Sequence, residues 1–296
     1  MTFKRIISPT DFSETAASAL SSAAALASKF DAELHIASVV DTTAWEYAGV
    51  TSASLARNLC EETTKRLEEL ELPEQASDLD VIHQVLMGDA GSAISEYAAK
   101  SEADLIVMAS HARSSVSRFF LGSVADKLLN TTTCPVLLMR APEGKVKSAQ
   151  ETGRGFSKIV VPTDFSKNSE FGIDRATALA EAYQAELHII HTINTKPIDM
   201  LDKSTKKLAM DGAKEATDEK LDKLASSRNE NLKVKTAILE GEPAESISNY
   251  ASSESCDLIV IGSRGLGEIS RLLLGSVADK VLRLAECPIF VEHGKS

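Results

Sequence analysis

Apolar positions along the first half of the chain switch repeatedly between strand and helix periods. Ile6-Ile7-Ser8 reads as a short apolar strand, followed by a turn and a helix opening at Ser13 or Glu14. That helix is rich in alanine (Ala16, Ala17, Ala19 and Ala23 to Ala25), the residue with the highest helix propensity. Leu34 to Val40 predicts a second strand. Thr51 to Leu72, with Leu55, Leu59, Leu67 and Leu70 set among charges, predicts an amphipathic helix. Asp80 to Met87 is the third strand, and Ala90 to Lys100 a helix with Ile94, Tyr97 and Ala98 on its apolar side. Leu105 to Ala109, a helix over Gly122 to Asn130, and Val136 to Met139 complete the series. Strands that are apolar throughout, joined by helices, require a parallel sheet covered on both faces. Right-handed crossovers then make a doubly wound α/β domain, whose ligands bind beyond the carboxyl ends of the strands at the switch point.

The second half repeats the first. Phe3-Lys4-Arg5-Ile6-Ile7-Ser8-Pro9-Thr10-Asp11-Phe12-Ser13 returns as Phe156-Ser157-Lys158-Ile159-Val160-Val161-Pro162-Thr163-Asp164-Phe165-Ser166. Ala32-Glu33-Leu34-His35-Ile36 returns as Ala185-Glu186-Leu187-His188-Ile189, and Asp104-Leu105-Ile106-Val107 as Asp257-Leu258-Ile259-Val260. Gly122-Ser123-Val124-Ala125-Asp126-Lys127 and Cys134-Pro135 recur as Gly275-Ser276-Val277-Ala278-Asp279-Lys280 and Cys287-Pro288. Every block keeps the same offset, so two copies of one domain follow, over 1–140 and 156–296. The stretch 141–155, with its Pro, Gly, Lys, Ser and Gln, reads as an exposed linker.

Composition narrows the partners. The 296 residues carry 32 Lys+Arg against 43 Asp+Glu, a net charge of −11, with no basic cluster longer than Lys206-Lys207. Nucleic acid and anionic membrane surfaces would be repelled. No apolar run approaches the ~20 residues of a membrane span. The opening residues carry no signal-peptide pattern, so a cytoplasmic location is expected. Cys60, Cys134, Cys256 and Cys287 lack metal-ligand or C-x-x-C spacing and read as buried reduced thiols. No nucleophile elbow, H-E-x-x-H or Cys/His set appears, so no catalytic residue is assigned.

Beyond the fourth strand of the second copy, Gly262-Ser263-Arg264-Gly265-Leu266-Gly267 leads through Arg271 to Gly275-Ser276, a Gly-x2-Gly-x9-Gly-Ser spacing. At average glycine and hydroxyl usage it would arise in such a chain by chance roughly 1% of the time. Glycines let backbone approach a ribose or phosphate closely. Gly275-Ser276 opens a helix whose free N–H groups favour an anion. Arg264 and Arg271 could neutralise phosphate charge. Loop glycines and an N-cap with no ligand would give the same letters, and Gly-Lys-Ser/Thr of the P-loop is absent. Pro162-Thr163-Asp164 should face this loop across the switch point. There Asp164 could accept from a ribose hydroxyl or an adenine amino group, help hold Mg²⁺ beside phosphates, or close an Asx turn before the helix.

On these blocks each half resembles a universal stress protein domain, and the whole chain resembles a tandem member of that family. The resemblance implies two Rossmann-like domains of the adenine-nucleotide α-hydrolase type, each a five-stranded sheet of order 3-2-1-4-5. It also implies ATP at the second copy. Pro162, Thr163, Asp164 and Thr192 would meet the adenosine. Ile261, Gly262, Ser263, Arg264 and Gly265 would line ribose and α-phosphate, and Gly275, Ser276 and Val277 would hold the outer phosphates. The first copy departs from the pattern: Ala109, His111, Ala112 and Ser114 stand where the second has Gly262, Arg264, Gly265 and Gly267, and only Gly122-Ser123 survives. Two added methyls at ~1–2 kcal/mol each would weaken binding there roughly 30- to 1,000-fold. The functions that follow are a nucleotide-dependent stress module with slow or absent hydrolysis, a weak ATP hydrolase, or an interaction scaffold without nucleotide.

Val136 to Met139 and Ile289 to Val291 are the last strands of the two copies, and in a 3-2-1-4-5 sheet they are unpaired edges. The resemblance implies pairing through this strand, and the linker's flexible reach of ~20 Å would let the two edges of one chain meet as an antiparallel pseudo-dimer. A homodimer of whole chains stays open, with no residue arguing for it. Val291→Pro is expected to remove a ladder donor and disrupt the pairing. Cross-linking mass spectrometry checks this: links between the two last strands should be lost in the variant.

Overall fold

The computed structural model describes residues 3–43, 53–110, 121–140, 155–263 and 274–294. The chain divides into two compact units, Met1–Gly153 and Arg154–Ser296. The first runs β1 (Arg5–Pro9), α1 (Glu14–Phe30), β2 (Glu33–Val40), α2 (Ala53–Glu68), β3 (Val81–Met87), α3 (Ala90–Lys100), β4 (Leu105–Ala109), α4 (Ser123–Thr131) and β5 (Val136–Met139). Among the described residues its strands pair in parallel within the unit: β3 with β2, β2 with β1, β1 with β4 and β4 with β5. The second runs β6 (Lys158–Pro162), α5 (Lys167–Tyr183), β7 (Glu186–Ile193), α6 (Lys203–Ser226), β8 (Val234–Glu240), α7 (Pro243–Ser253), β9 (Leu258–Gly262), α8 (Ser276–Leu284) and β10 (Ile289–Glu292). Its pairings repeat the same parallel order, β8-β7-β6-β9-β10. Each unit is therefore the doubly wound 3-2-1-4-5 domain. No helix among the described residues is long and apolar enough to cross a membrane.

Local chemistry explains the element boundaries. Ser13 and Ser166 cap α1 and α5, their hydroxyls accepting from Ala16 N and Ser169 N at 3.2 Å. Both helices end on a left-handed residue, Asp31 (φ 54°) and Gln184 (φ 54°). The helix expected over Thr51 to Leu72 stops instead at Glu68. Pro73 disfavours helical backbone at Leu72, and the chain turns with Leu70 N donating to Leu67 O. Residues 51 and 52 lie outside the described residues, as does most of the expected linker, 141–154. The central strands are fully buried through Ile6, Ile7, Leu34, Ile36, Leu105 and Ile106, and through their counterparts Ile159, Val160, Leu187, Ile189, Leu258 and Ile259. Each such side chain contributes about 1.5–3 kcal/mol by leaving water.

Two of the repeated sequence blocks are structural devices. Asp104 opens β4, and its carboxylate accepts from Lys4 N (2.7 Å) and Arg5 N (3.1 Å). Asp257 does the same for Ser157 N (2.8 Å) and Lys158 N (3.2 Å), satisfying amides at the start of the central strand. The Glu-Leu-His block places a buried imidazole on β2 and another on β7. His35 Nδ1 lies 2.7 Å from Tyr97 Oη on α3, and His188 Nδ1 lies 2.9 Å from Tyr250 Oη on α7. Each pair ties a strand to the helix that covers it. Glu33 and Glu186 stand near the other ring nitrogen, at 3.5 and 3.2 Å, and are themselves paired with Arg5 and Lys233. None of the four cysteines forms a disulfide among the described residues; Cys134 and Cys256 are buried as expected, whereas Cys60 and Cys287 are only half-buried. Burial pushes the Cys256 thiol up to about 11.

Burial holds both imidazoles below the ordinary histidine value of 6.5, against the opposing pull of Glu33 and Glu186. An unfolded chain therefore takes up protons below that pH that the folded chain resists, and stability falls as pH drops through 6.5. Carboxylates titrate lower, so this first loss belongs to the histidines. Thermal melting at pH values from about 7 down to about 5 should show the decline, and His35→Gln combined with His188→Gln should flatten it.

Candidate functional site

The two crossover directions of the second unit reverse between β6 and β9. Their ladder holds only two residue pairs, Ile159 with Leu258 and Val160 with Ile259. Above it β6 continues on β7, with Pro162 opposite Ile190, and β9 continues on β10, with Gly262 opposite Glu292. The strands thus part at their carboxyl ends, and the crevice is flanked by Pro162-Thr163-Asp164 on one side and Ile261-Gly262-Ser263 on the other.

The β6 side is a tightly bonded turn. Thr163 is buried; its N–H donates to Ile190 O (2.8 Å), and its hydroxyl accepts from Phe165 N (3.0 Å) and lies 3.0 Å from Ser169 Oγ. Asp164 Oδ1 accepts from Ser166 N at 3.0 Å, which is an Asx turn, and Phe165 takes the left-handed conformation (φ 62°). The reading of Asp164 as a turn former is therefore realised in the fold. The turn of the first unit repeats it through Thr10, Asp11 and Phe12.

Three further side chains gather at the second turn that sequence reasoning did not single out. His191 donates from Nδ1 to Thr163 O (2.7 Å), and its ring stacks on Phe165 with centroids 4.8 Å apart. Lys220, on α6, places its ammonium 5.0 Å from the Phe165 ring centre. The first copy has Ser38 at the position of His191, and there Arg66 sits over Phe12 at 3.9 Å. The second His of the Glu-Leu-His-Ile-Ile-His stretch, lacking a partner in the first copy, was the available signal. One residue on, Thr192 has a buried hydroxyl oxygen with no hydrogen-bond partner in the protein.

On the β9 side, Ser263 N donates to Glu292 O (2.8 Å), and Gly275 N donates to Ser263 O (2.7 Å). This second bond returns the chain to the crevice and sets the start of α8 beside the end of β9. Gly275 is the N-cap of α8 and provides no side-chain cap, leaving the first-turn amides of Ser276 and Val277 without one. Arg264, Gly265, Gly267 and Arg271 lie outside the described residues, as do His111, Ala112 and Ser114 of the first copy. Helix α5 crosses close behind: a methyl at Gly172 would stand 3.4 Å from Gly262 N. The crevice thus joins a turn rich in acceptors and a helix start with uncapped donors, a set that suits a polar ligand with an anionic end. Among the described residues, no three His, Cys, Asp or Glu are grouped to hold a metal ion.

Comparison with known proteins assigns both units. The model of the "Universal stress protein family" matches residues 2–140 and again 155–292. Universal stress protein MJ0531 of Methanocaldococcus jannaschii is 35% identical over 138 residues, which is 46% of this chain and 81% of that protein. Universal stress protein YxiE of Bacillus subtilis is 32% identical over 149 residues, covering 46% of this chain and 98% of the relative. A crystal structure of a universal stress protein from Archaeoglobus fulgidus shares the fold over 98% of this chain and 97% of its own, with a TM-score of 0.67 at 22% identity. Matched twice along its length, this chain belongs to the universal stress protein family, with one family domain in each repeat.

Proposed function

We propose that the second unit binds one adenine nucleotide, ATP, in the crevice between β6 and β9, and that the chain works as a nucleotide-responsive regulatory module of the stress response. Hydrolysis is slow or absent in this reading, because no candidate base faces the phosphate loop in the sequence. The observation that carries the proposal is the bond from Gly275 N to Ser263 O, which brings the uncapped start of α8 to the end of β9. The glycine spacing of the motif supplies the rest of the phosphate loop in sequence. In this assignment Pro162, Thr163, Asp164 and Thr192 serve the adenosine. Ile261, Gly262, Ser263, Arg264 and Gly265 serve the ribose and inner phosphate, and Gly275, Ser276 and Val277 the outer phosphates, with Mg²⁺ accompanying them. Thr192, near the carboxyl end of β7, would offer its backbone to the adenine in this assignment.

The first unit keeps the turn and Gly122, but Ala109 replaces Gly262, and among the described residues no backbone bond joins Gly122 to Ser110. Calorimetric titration with ATP should therefore give one tight site per chain, in the second unit; two equal sites would contradict the assignment. Gly265→Ala copies the residue of the first unit and should cost about 1–3 kcal/mol of ATP binding with the fold unchanged, read by titration and circular dichroism together. Steady-state phosphate release tests hydrolysis directly, and turnover at ordinary enzymatic rates would replace the regulatory reading with a hydrolase.

A further inference from the structure

Behind the phosphate side of the crevice lies a charged pair with no place in the binding scheme. Arg175, on α5, is 6% exposed, and Glu292, the last residue of β10, is 7% exposed. Arg175 Nε donates to Glu292 Oε2, and its guanidinium also stands 5.3 Å from the ring centre of the buried Phe290. Ions are withdrawn from water only at a cost, and a well-packed apolar pair of similar size commonly serves stability as well or better. The first unit meets the same packing problem without charge: Ser22 and Met139 occupy the equivalent positions on α1 and β5, and Leu137 stands for Phe290. The fold therefore does not require the pair.

What distinguishes the second unit is the chain of contacts that begins at the pair. Arg175 holds the side chain of Glu292, whose carbonyl accepts from Ser263 N at 2.8 Å; the carbonyl of Ser263 in turn accepts from Gly275 N at 2.7 Å. The last bond fixes the start of α8. In the first unit the middle link exists, Ser110 N donating to Met139 O at 3.0 Å, but among the described residues the link from Ser110 to Gly122 does not. The copy with the ion pair is thus the copy in which the helix start is tied to the strand end and in which all motif glycines are kept.

We infer that Arg175 and Glu292 are positioning residues for the phosphate side of the nucleotide site, locking the end of β10 so that Ser263 and Gly275 hold the start of α8 in register for anionic groups. This rests on the proposed nucleotide binding and adds to it a division of labour: the pair acts on phosphates and not on the adenosine.

The test compares ATP and adenosine on the full chain. Replacing both partners, Arg175→Met with Glu292→Met, removes the two charges of the pair together and fills the space with apolar atoms. The expected result is ATP affinity reduced about 10-fold or more, adenosine affinity within about 2-fold of the unaltered chain, and faster hydrogen exchange at the Ser263 and Gly275 amides. Arg175→Lys, which keeps the charge opposite Glu292, should restore most of the ATP affinity. Equal loss for ATP and adenosine, or unaltered ATP affinity, overturns the inference while leaving nucleotide binding standing. A double variant that fails to fold also overturns it, because the pair would then serve the fold itself. Failure of the unaltered chain to bind ATP overturns both readings.

Discussion

A parallel sheet wound in both directions must reverse its crossovers somewhere, and at that place the two neighbouring strands send their chains to opposite faces. In the second unit this happens between β6 and β9, which share two residue pairs and then separate. The proposed site depends on that parting. It leaves backbone at both strand ends with room above it. The turn after β6 satisfies its own donors through Thr163 and Asp164, and the segment after β9 is anchored by Ser263. The site is thus built mainly from main-chain groups whose directions the sheet dictates, and side chains refine it.

The duplication separates what the fold needs from what a ligand needs. Both units keep the aspartate that gathers amides at the start of the central strand, the imidazole–phenol tie between strand two and helix three, and the serine cap of the first helix. Those features recur because each sheet would be left with unsatisfied buried groups without them. The glycines after strand four, the second histidine of strand two and the Arg175–Glu292 pair occur in one copy alone. Differences between two copies of one fold inside one chain mark positions released from the demands of folding.

Most of the architecture was legible in the sequence, because continuous apolar strands alternating with alanine-rich or amphipathic helices admit few arrangements. The Ala90 to Lys100 helix and the Leu105 to Ala109 strand fall where the pattern puts them. The overlong second helix shows the limit: leucine spacing continued to Leu72, but Pro73 acts on the backbone before it. At the site, spacing identified the strand-end residues and the glycine run. It left Asp164 open between a ligand contact and an Asx turn and did not show that the Thr163 hydroxyl is engaged in the turn, since that depends on backbone angles such as φ 62° at Phe165. Nor did it pair Arg175 with Glu292, which are 117 positions apart and share no local motif. An arginine on the buried side of its helix and a glutamate ending an apolar strand, both neutral in the other copy, are the trace such a pair leaves.

The buried thiol before β9 carries a consequence of its own. With Cys256 raised to about 11, only about one molecule in ten thousand carries the anionic sulfur at neutral pH. Peroxides and disulfides are attacked by that anion and scarcely by the neutral form. Cys256 therefore holds little of the nucleophilic form that oxidants meet, and its burial serves the packing of the turn that leads into β9.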